Sequence, residues 1–178
     1  HYRTDGTNFD YVLEERWVRD AGYLQIVPRT IARALEHAGI KAAQVRHFIA
    51  QGPRRFALDA AKATGIPAEA VVDDLHASCG DTGTTHPLLL LAGALERAAA
   101  GDVVLVAGFG QGCDAIVLGA TGRGAGAQAG HGVAAALSRG VADGEYVRFL
   151  SNCGLLEMDW GMRAERDNRT SQAAAWRR

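Results

Sequence analysis

Asp81 and His86 are the two side chains of the polar segment 78–87 (SCGDTGTTHP) that could move a proton. Asp81 could act as a base or as an orienting carboxylate, and His86 as a general base, because imidazole titrates close to neutral pH. The segment follows a predicted strand and precedes a predicted apolar helix, where backbone amides and the helix dipole converge. The structural alternatives are a turn-forming aspartate and a hydrogen-bonded first-turn histidine. This segment alone leaves both interpretations open.

A second segment that could do chemistry surrounds Gln111, where Gly110 and Gly112 follow a continuous apolar run. A dinucleotide-binding loop needs a third glycine and a helix start, so that free amides meet the pyrophosphate. Cys113 and a strand-like run stand there instead, so we do not expect nucleotide binding of this kind. A tight hairpin is the structural interpretation. The functional alternative is that Gln111 exposes its backbone amide to a bound carbonyl, as an oxyanion hole requires.

The third segment, QGPRR at residues 51–55, ends one predicted strand and opens a predicted helix. An anion could bind there through Arg54 and Arg55, since the start of a helix and guanidinium groups both favour negative charge. Two solvated arginines explain the pattern equally well.

The sequence contains neither a clear metal site nor a clear nucleophile. His76 and Cys79 have the spacing of a zinc-binding pair, with His86 nearby, but no second pair such as C-x-x-C stands close. We therefore expect no metal. The chain has no G-x-S-x-G motif, and we expect Cys79, Cys113 and Cys153 to be buried structural residues.

Alternating strands and helices must position these segments. Residues 9–37 read as helical, weakened at Gly22, with a second helix beginning at Pro28. Further helices are predicted at 54–64, 87–99, 131–139 and 145–150, and strands at 47–51, 70–75, 102–109 and 113–119. This alternation predicts an α/β fold with a mixed sheet and a terminal antiparallel pair. A glycine- and alanine-rich segment, residues 119–132, interrupts the pattern and is typical of a flexible linker.

Composition excludes several classes of protein. The chain has 178 residues, of which 48% are hydrophobic, and a net charge of −1. These values predict one soluble domain, with no electrostatic footprint for nucleic acid and no apolar run long enough to span a membrane. An odd number of cysteines suits a reducing compartment, so we expect a cytoplasmic protein. The chain opens at His1 without an initiator Met, which suggests a processed or truncated piece.

Taken together, the three segments resemble the thiolase superfamily, in its ketoacyl synthase III and hydroxymethylglutaryl-CoA synthase branch. HFIAQGPR (47–54) is similar to a strand that ends in a His-Gln-Ala-Asn motif. CGDTGTTH (79–86) looks like the Gly-Asn-Thr-Ser-Ala-Ala turn of that branch, and GFGQGCD (108–114) like its Phe-Gly-Gly-Gly oxyanion turn. Order and spacing agree, and the likeness covers about residues 10–119.

The resemblance implies only the C-terminal half of such an enzyme: an α/β, thiolase-like half with a mixed five-stranded sheet packed with helices, plus a C-terminal extension. We expect a thiolase-like domain at 1–119, a glycine-rich segment with a helix at 120–144, and a partner-docking tail at 145–178. That tail resembles the extension of bacterial and archaeal members that work beside a zinc-ribbon and OB-fold protein. The acyl-accepting cysteine would lie in an N-terminal thiolase-like half, from the same precursor or a separate chain. The resemblance therefore also implies a homo- or hetero-oligomer. The first domain should expose a large apolar face, where the other half packs.

Three departures from the family pattern affect the site. Gln51 stands where the family has its catalytic His, Asp81 where it has Asn, and Arg54 where it has a CoA-contacting Asn. Catalysis is then rewired, or the chain is a non-catalytic acyl-CoA-binding or scaffold subunit, or the alignment is shifted by a few residues.

Rewired catalysis predicts an acyltransferase that acts on acyl-CoA or acyl-ACP thioesters by Claisen-type condensation. Asp81 or His86 would transfer the proton, Gln51 would orient the thioester, and the Gln111 amide would stabilise the oxyanion. The coenzyme A thioester would be a substrate, with no further cofactor. The residues expected to contact it are Arg54, Arg55, Gly110 and Gly112.

Overall fold

The computed structural model describes residue 6, residues 14–123 and residues 131–156. Contacts divide the chain into two compact units, His1–Gly140 and Val141–Arg178. All three segments that could do chemistry lie in the first unit. In the described residues, no helix has both the length and the apolar character needed to cross a membrane.

A three-stranded mixed sheet organises the first unit. Its strands are β1 (Val45–Ala50), β2 (Val103–Phe109) and β3 (Cys113–Gly119), in the order β1-β2-β3. β1 runs parallel to β2, and β2 runs antiparallel to β3. The predicted mixed sheet with a terminal antiparallel pair is therefore confirmed. Because β1 and β2 are parallel, their carboxyl ends meet at one edge of the sheet.

The predicted five strands are not all present: the described residues contain three, and the strand predicted at residues 70–75 is reduced to one bridge between Phe48 and Val71. The reason lies in two aspartates. Asp73 accepts the Leu75 N–H, and Asp74 accepts the N–H two residues later. These local side-chain bonds take the backbone donors that a strand would pair, and they turn the chain into a short helix.

Seven α-helices occur in the described residues, and most fall where the sequence predicts them. They are α1 (Glu15–Trp17), α2 (Val27–Ala38), α3 (Arg54–Thr64), α4 (His76–Cys79), α5 (His86–Leu95), α6 (Val133–Ser138) and α7 (Tyr146–Asn152). α2 ends at Gly39 and α3 at Gly65, and both glycines have positive φ values of 67° and 77°. Glycine adopts this left-handed conformation without the cost of a Cβ, which explains the predicted stops.

The first helical region is continuous, although the sequence predicts a weak point at Gly22. A π-helical segment, Val18–Ile26, joins α1 to α2, and the Val27 N–H donates to the Gly22 carbonyl five residues back. Pro28 lies in the first turn of α2, where its missing N–H costs little. Gly22 is buried, and a Cβ there would overlap the ring of Phe109. The glycine thus serves close packing and does not interrupt the helix.

Helices cover both faces of the sheet. On one face, Ile31 and Leu35 of α2 and Ala57 of α3 pack against Phe48 and Leu105. On the other face, α5 packs on the strands through a second cluster, formed by Ile49, Leu90, Ala94, Val104 and Val106. Parallel strands buried on both sides read as continuous apolar runs, which is why the sequence reveals β2 clearly.

The second unit contains α7, which confirms the helix predicted at 145–150. Tyr146, Val147 and Phe149 are solvent-exposed, and the rings of Tyr146 and Phe149 stack with centroids 6.1 Å apart. The glycine-rich residues 124–130 and the tail beyond residue 156 lie outside the described residues.

Candidate functional site

Gln51 and the glycine turn lie at the same edge of the sheet. Gln51 directly follows β1, and its N–H donates to the carbonyl of Ala107 on β2 at 3.2 Å. The turn of residues 110–112 directly follows β2 and connects it to β3. The sheet therefore brings together two of the three predicted segments, and the carboxyl edge of parallel strands is the usual place for ligand sites in α/β folds.

The turn of residues 110–112 presents open backbone. The Gly110 N–H donates to the Gly112 carbonyl at 2.8 Å, whereas the N–H of the exposed Gln111 has no hydrogen-bond partner among the described residues. Neither glycine has a positive φ, and a Cβ on either would meet nothing within 4 Å. The folded chain itself does not require glycine there. Small residues leave room for a ligand to approach the backbone.

Asp81 is exposed, and it shapes the third segment. One of its carboxylate oxygens accepts the N–H of Gly83 at 2.7 Å, as in an Asx turn. Gly83 has a φ of 68°, and a short 3₁₀ turn, Gly83–Thr85, leads into α5. The turn-forming role predicted for Asp81 is therefore present, and its second oxygen accepts no hydrogen bond from the described residues.

His86 is buried, with 1% of its surface exposed, and both ring nitrogens have partners. Nε2 lies 2.8 Å from the carbonyl oxygen of Asp74, and Nδ1 lies 3.3 Å from the N–H and 3.2 Å from the hydroxyl of Thr82. These partners assign the hydrogen to Nε2 and leave Nδ1 as an acceptor. The geometry is that of a residue that positions the turn, and proton transfer by His86 stays a prediction.

Asp74 connects the other parts of this edge, and the sequence did not single it out. Its carboxylate accepts the Arg54 N–H at 3.0 Å and the His76 N–H at 3.2 Å, while its carbonyl binds His86. Burial works in the opposite direction, but these backbone bonds and the charges of His76 and Arg54 hold the pKa of Asp74 below its usual range. A local signal existed: an Asp shortly before a predicted turn often binds backbone N–H groups.

The backbone amides at the start of α3 are therefore partly used by the protein itself. The Asp74 carboxylate takes the Arg54 N–H that an anion would otherwise use. Both arginine side chains are exposed, and the guanidinium carbon of Arg55 lies 4.7 Å from the centre of the Phe56 ring. The guanidinium groups remain able to contact an anion, but this helix end does not offer a free amide at Arg54.

His76 stands beside Asp74 and His86. Its Nδ1 lies 3.5 Å from a carboxylate oxygen of Asp74, and its ring centre is 5.1 Å from that of His86. Nε2 is buried without a hydrogen-bond partner in the described residues. Within that same part of the chain, no three His, Cys, Asp or Glu residues are arranged to hold a metal ion.

The cysteines differ from expectation. All three are free, but Cys79 and Cys153 are exposed and only Cys113 is half-buried. The prediction that each is buried is wrong for the first two, because Cys79 ends the four-residue helix α4 and Cys153 follows α7, both at the surface. Burial raises the pKa of the Cys113 thiol, which disfavours a reactive thiolate.

Tyr23 is a further residue of this edge that sequence reasoning missed. Its ring stacks on Phe56 with centroids 4.5 Å apart and meets the Phe109 ring edge-on at 5.2 Å. Burial, and then the negative charge of Asp81, raise the pKa of the Tyr23 hydroxyl. Tyr23 thus links the helix before the sheet with all three segments, and only through-space contacts reveal it.

The comparisons with known proteins agree with the fold. Residues 35–119 match the family model described as 3-oxoacyl-[acyl-carrier-protein (ACP)] synthase III C terminal. A structure of β-ketoacyl-[acyl carrier protein] synthase III from Thermus thermophilus is similar, with a TM-score of 0.55 and 28% identity over 62% of this chain and 36% of that chain. The synthase III of Pseudomonas aeruginosa PAO1 shares the fold, with a TM-score of 0.54 and 23% identity over 61% of this chain and 34% of that chain.

The match covers only part of this chain, and the chain spans about a third of the length of these solved structures. The matched residues include Gln51, Asp81 and the turn of residues 110–112, whereas Tyr23 and the second unit lie outside them. Residues 35–119 of this chain therefore match the C-terminal family model of 3-oxoacyl-[acyl-carrier-protein] synthase III, and the fold is similar to that of the solved synthase III structures.

Proposed function

We propose that this chain is the C-terminal half of an acyltransferase that joins acyl-CoA or acyl-ACP thioesters by a Claisen-type condensation. The observation that carries the proposal is that two of the segments meet at the carboxyl edge of the sheet and Asp74 links the third to the start of α3, within residues that match the synthase III C-terminal family model. That edge combines an open backbone amide, a carboxylate and a neutral amide side chain. These are the groups that a thioester condensation needs apart from its nucleophile.

Each group has a role in this proposal. The free N–H of Gln111 stabilises the oxyanion, and the absence of side chains at Gly110 and Gly112 lets the thioester approach the turn. Gln51 orients the thioester, since an amide can hold a carbonyl but cannot take a proton. Asp81 transfers the proton through the carboxylate oxygen that the Asx turn leaves unused.

In the proposed reaction, an acyl group is first carried as a thioester on a cysteine of an N-terminal thiolase-like half. Asp81 accepts a proton from the α-carbon of a second thioester, and the resulting enolate attacks the acyl carbonyl. The carbon–carbon bond forms, the bond from carbon to the cysteine sulfur breaks, and the electron pair returns to sulfur as a thiolate. The product is a β-keto thioester, and the proton on Asp81 returns to the thiolate.

Partners for this half are part of the proposal. Leu88, Ile116 and Trp17 of the first unit are 64%, 56% and 62% exposed, and each is an apolar side chain that a packed second half would cover. The exposed apolar side chains of α7 suit the docking of a zinc-ribbon and OB-fold protein. Arg54 and Arg55 are exposed cations that suit contact with the phosphates of coenzyme A.

A non-catalytic acyl-CoA-binding or scaffold subunit is the second candidate. Two observations favour it: Gln51 cannot titrate, and both nitrogens of His86 are engaged by the protein. Asp81 decides between the two candidates, because it is the carboxylate of segment 78–87 and one of its oxygens is unused.

The test measures formation of acetoacetyl-CoA from acetyl-CoA by the natural assembly that contains this chain. Asp81→Asn keeps an oxygen for the Gly83 N–H but cannot take a proton, so we expect product formation to fall by at least about 100-fold. Asp59→Asn is the matched control, since Asp59 is an exposed carboxylate on α3, and its activity should stay within about twofold of wild type. Full activity of Asp81→Asn would remove the proton-transfer role. Binding of acetyl-CoA without any turnover would favour the scaffold.

A further inference from the structure

Tyr23 lies where the three segments meet, yet it belongs to none of them. It comes from the π-helical segment Val18–Ile26, outside the matched residues 35–119. Its ring is fixed between Phe56 at the start of α3 and Phe109 at the end of β2. Phe109 directly precedes the turn that carries the open Gln111 amide. A ring held on both sides has little freedom to swing away.

The hydroxyl of Tyr23 lies against the backbone beside Gln51. A Cβ placed on Gly52 would be 2.5 Å from Tyr23 Oη and 3.0 Å from Cζ, and Gly52 has a φ of 98°. Glycine at this position thus allows the chain to turn sharply and to pass close to the hydroxyl. The hydroxyl oxygen therefore lies next to the residue that follows Gln51, and Gln51 is the residue that we propose to orient the thioester.

The hydroxyl is a neutral donor with no assigned acceptor. Tyr23 makes no hydrogen bond with another described residue, and its Oη is not sealed from solvent. Its pKa is raised by burial and by the charge of Asp81, so it keeps its proton at neutral pH. A protonated phenol that faces a binding edge can donate to a ligand oxygen.

We propose that Tyr23 is a further catalytic residue, whose hydroxyl donates a hydrogen bond to the carbonyl oxygen of the thioester held beside Gln51. The inference rests on the proposed function, since it needs a thioester at this edge. A fixed donor in a partly desolvated site strengthens its bond as negative charge builds on the oxygen, so it stabilises the transition state more than the bound substrate. The ring also maintains the spacing between Gly52 and Phe109.

Tyr23→Phe tests the hydroxyl without removing the ring. In the natural assembly, with acetyl-CoA as the probe, we expect kcat to fall about 10- to 100-fold while KM changes by less than about threefold. The thermal unfolding midpoint should stay unchanged, because both ring contacts remain. Asp59→Asn again serves as the control, since Asp59 is exposed on α3 and outside the three segments, and it should retain wild-type kinetics. A Tyr23→Phe enzyme with wild-type kcat overturns the inference.

A second measurement follows the hydroxyl directly. Tyrosinate absorbance is titrated in wild type, Tyr23→Phe and Asp81→Asn, and the transition that Tyr23→Phe removes should shift to lower pH in Asp81→Asn. An unshifted transition means that the two side chains are not neighbours, and the inference fails. Wild type that neither binds nor converts acetyl-CoA overturns the proposed function as well. An active wild type with an equally active Tyr23→Phe overturns only the role of Tyr23.

Discussion

Gly52→Ala is the substitution whose effect can be worked out most directly from the structure. Gly52 follows Gln51 and has a φ of 98°, outside the regions that residues with a Cβ normally occupy. The added methyl group would also lie 2.5 Å from Tyr23 Oη. The Tyr23 ring cannot easily move away, because it is stacked on Phe56 and meets Phe109 edge-on.

Two costs therefore add in the Gly52→Ala protein. A side chain in a disfavoured backbone region costs about 1–3 kcal/mol, and crowding in a packed region costs about 1–3 kcal/mol more. We expect the free energy of unfolding to fall by about 2–6 kcal/mol. Displacement of the backbone beside Gln51 should also reduce thioester binding in the folded fraction.

Urea unfolding, followed by the far-ultraviolet circular dichroism signal, measures this change. Gly39→Ala is the matched control: Gly39 has a φ of 67° and nothing within 4 Å of its Cβ position, so only the backbone cost of about 1–2 kcal/mol applies. Adding Tyr23→Leu removes the crowded oxygen. In that background Gly52→Ala should cost at least about 1 kcal/mol less.

Two outcomes would refute this reasoning. One is a Gly52→Ala protein that loses no more stability than Gly39→Ala. The other is an unchanged cost of Gly52→Ala when Tyr23 is replaced by leucine. Either result would mean that the Tyr23 hydroxyl does not lie against this turn.

Two further predictions concern the residues behind the site. The lowered pKa of Asp74 means that its stabilising contribution is complete above the usual carboxyl range and is lost as the pH falls through the lower folded value. Asp74→Asn should therefore be less stable than wild type at neutral pH, and its stability should fall less than that of wild type below about pH 4. Urea unfolding of both proteins across pH measures this difference. Parallel curves of stability against pH would contradict the role of Asp74. His86→Ala leaves the Asp74 carbonyl and the Thr82 N–H without their partner and opens a cavity, so it should cost about 2–5 kcal/mol of unfolding free energy. If His86→Ala instead abolishes acyl transfer with an unchanged urea midpoint, His86 acts in the chemistry and not in positioning.

Much of the fold could be predicted because its signals are local. β2 is a continuous apolar run, and α3 lies between Pro53 and Gly65, so sequence alone indicates both. The predicted strand at 70–75 failed because Asp73 and Asp74 bind nearby backbone N–H groups, and residue propensities do not report such bonds. Short apolar runs beside polar turn residues are therefore the least secure strand predictions.

The candidate site divides in the same way. Gln51, Asp81 and Gln111 could be found from motifs, because each follows a strand or opens a turn in the chain. Tyr23 and Asp74 could not, because they are linked to the site by contacts with residues that are distant in sequence. The burial of His86 could not be predicted from the sequence either, since the carbonyl that it binds lies 12 residues earlier.

The most direct test of one shared thioester site is hydrogen exchange of the natural assembly with and without a non-hydrolysable acetyl-CoA analogue. The account predicts slower exchange of backbone amides in all three segments together: around Gln51, around Asp81 and at Gln111. Amides of Val103 and Val104, at the opposite end of β2 from the Gln111 turn, should be unaffected. Protection that misses the Gln111 turn, or that occurs only away from these three segments, would contradict the account.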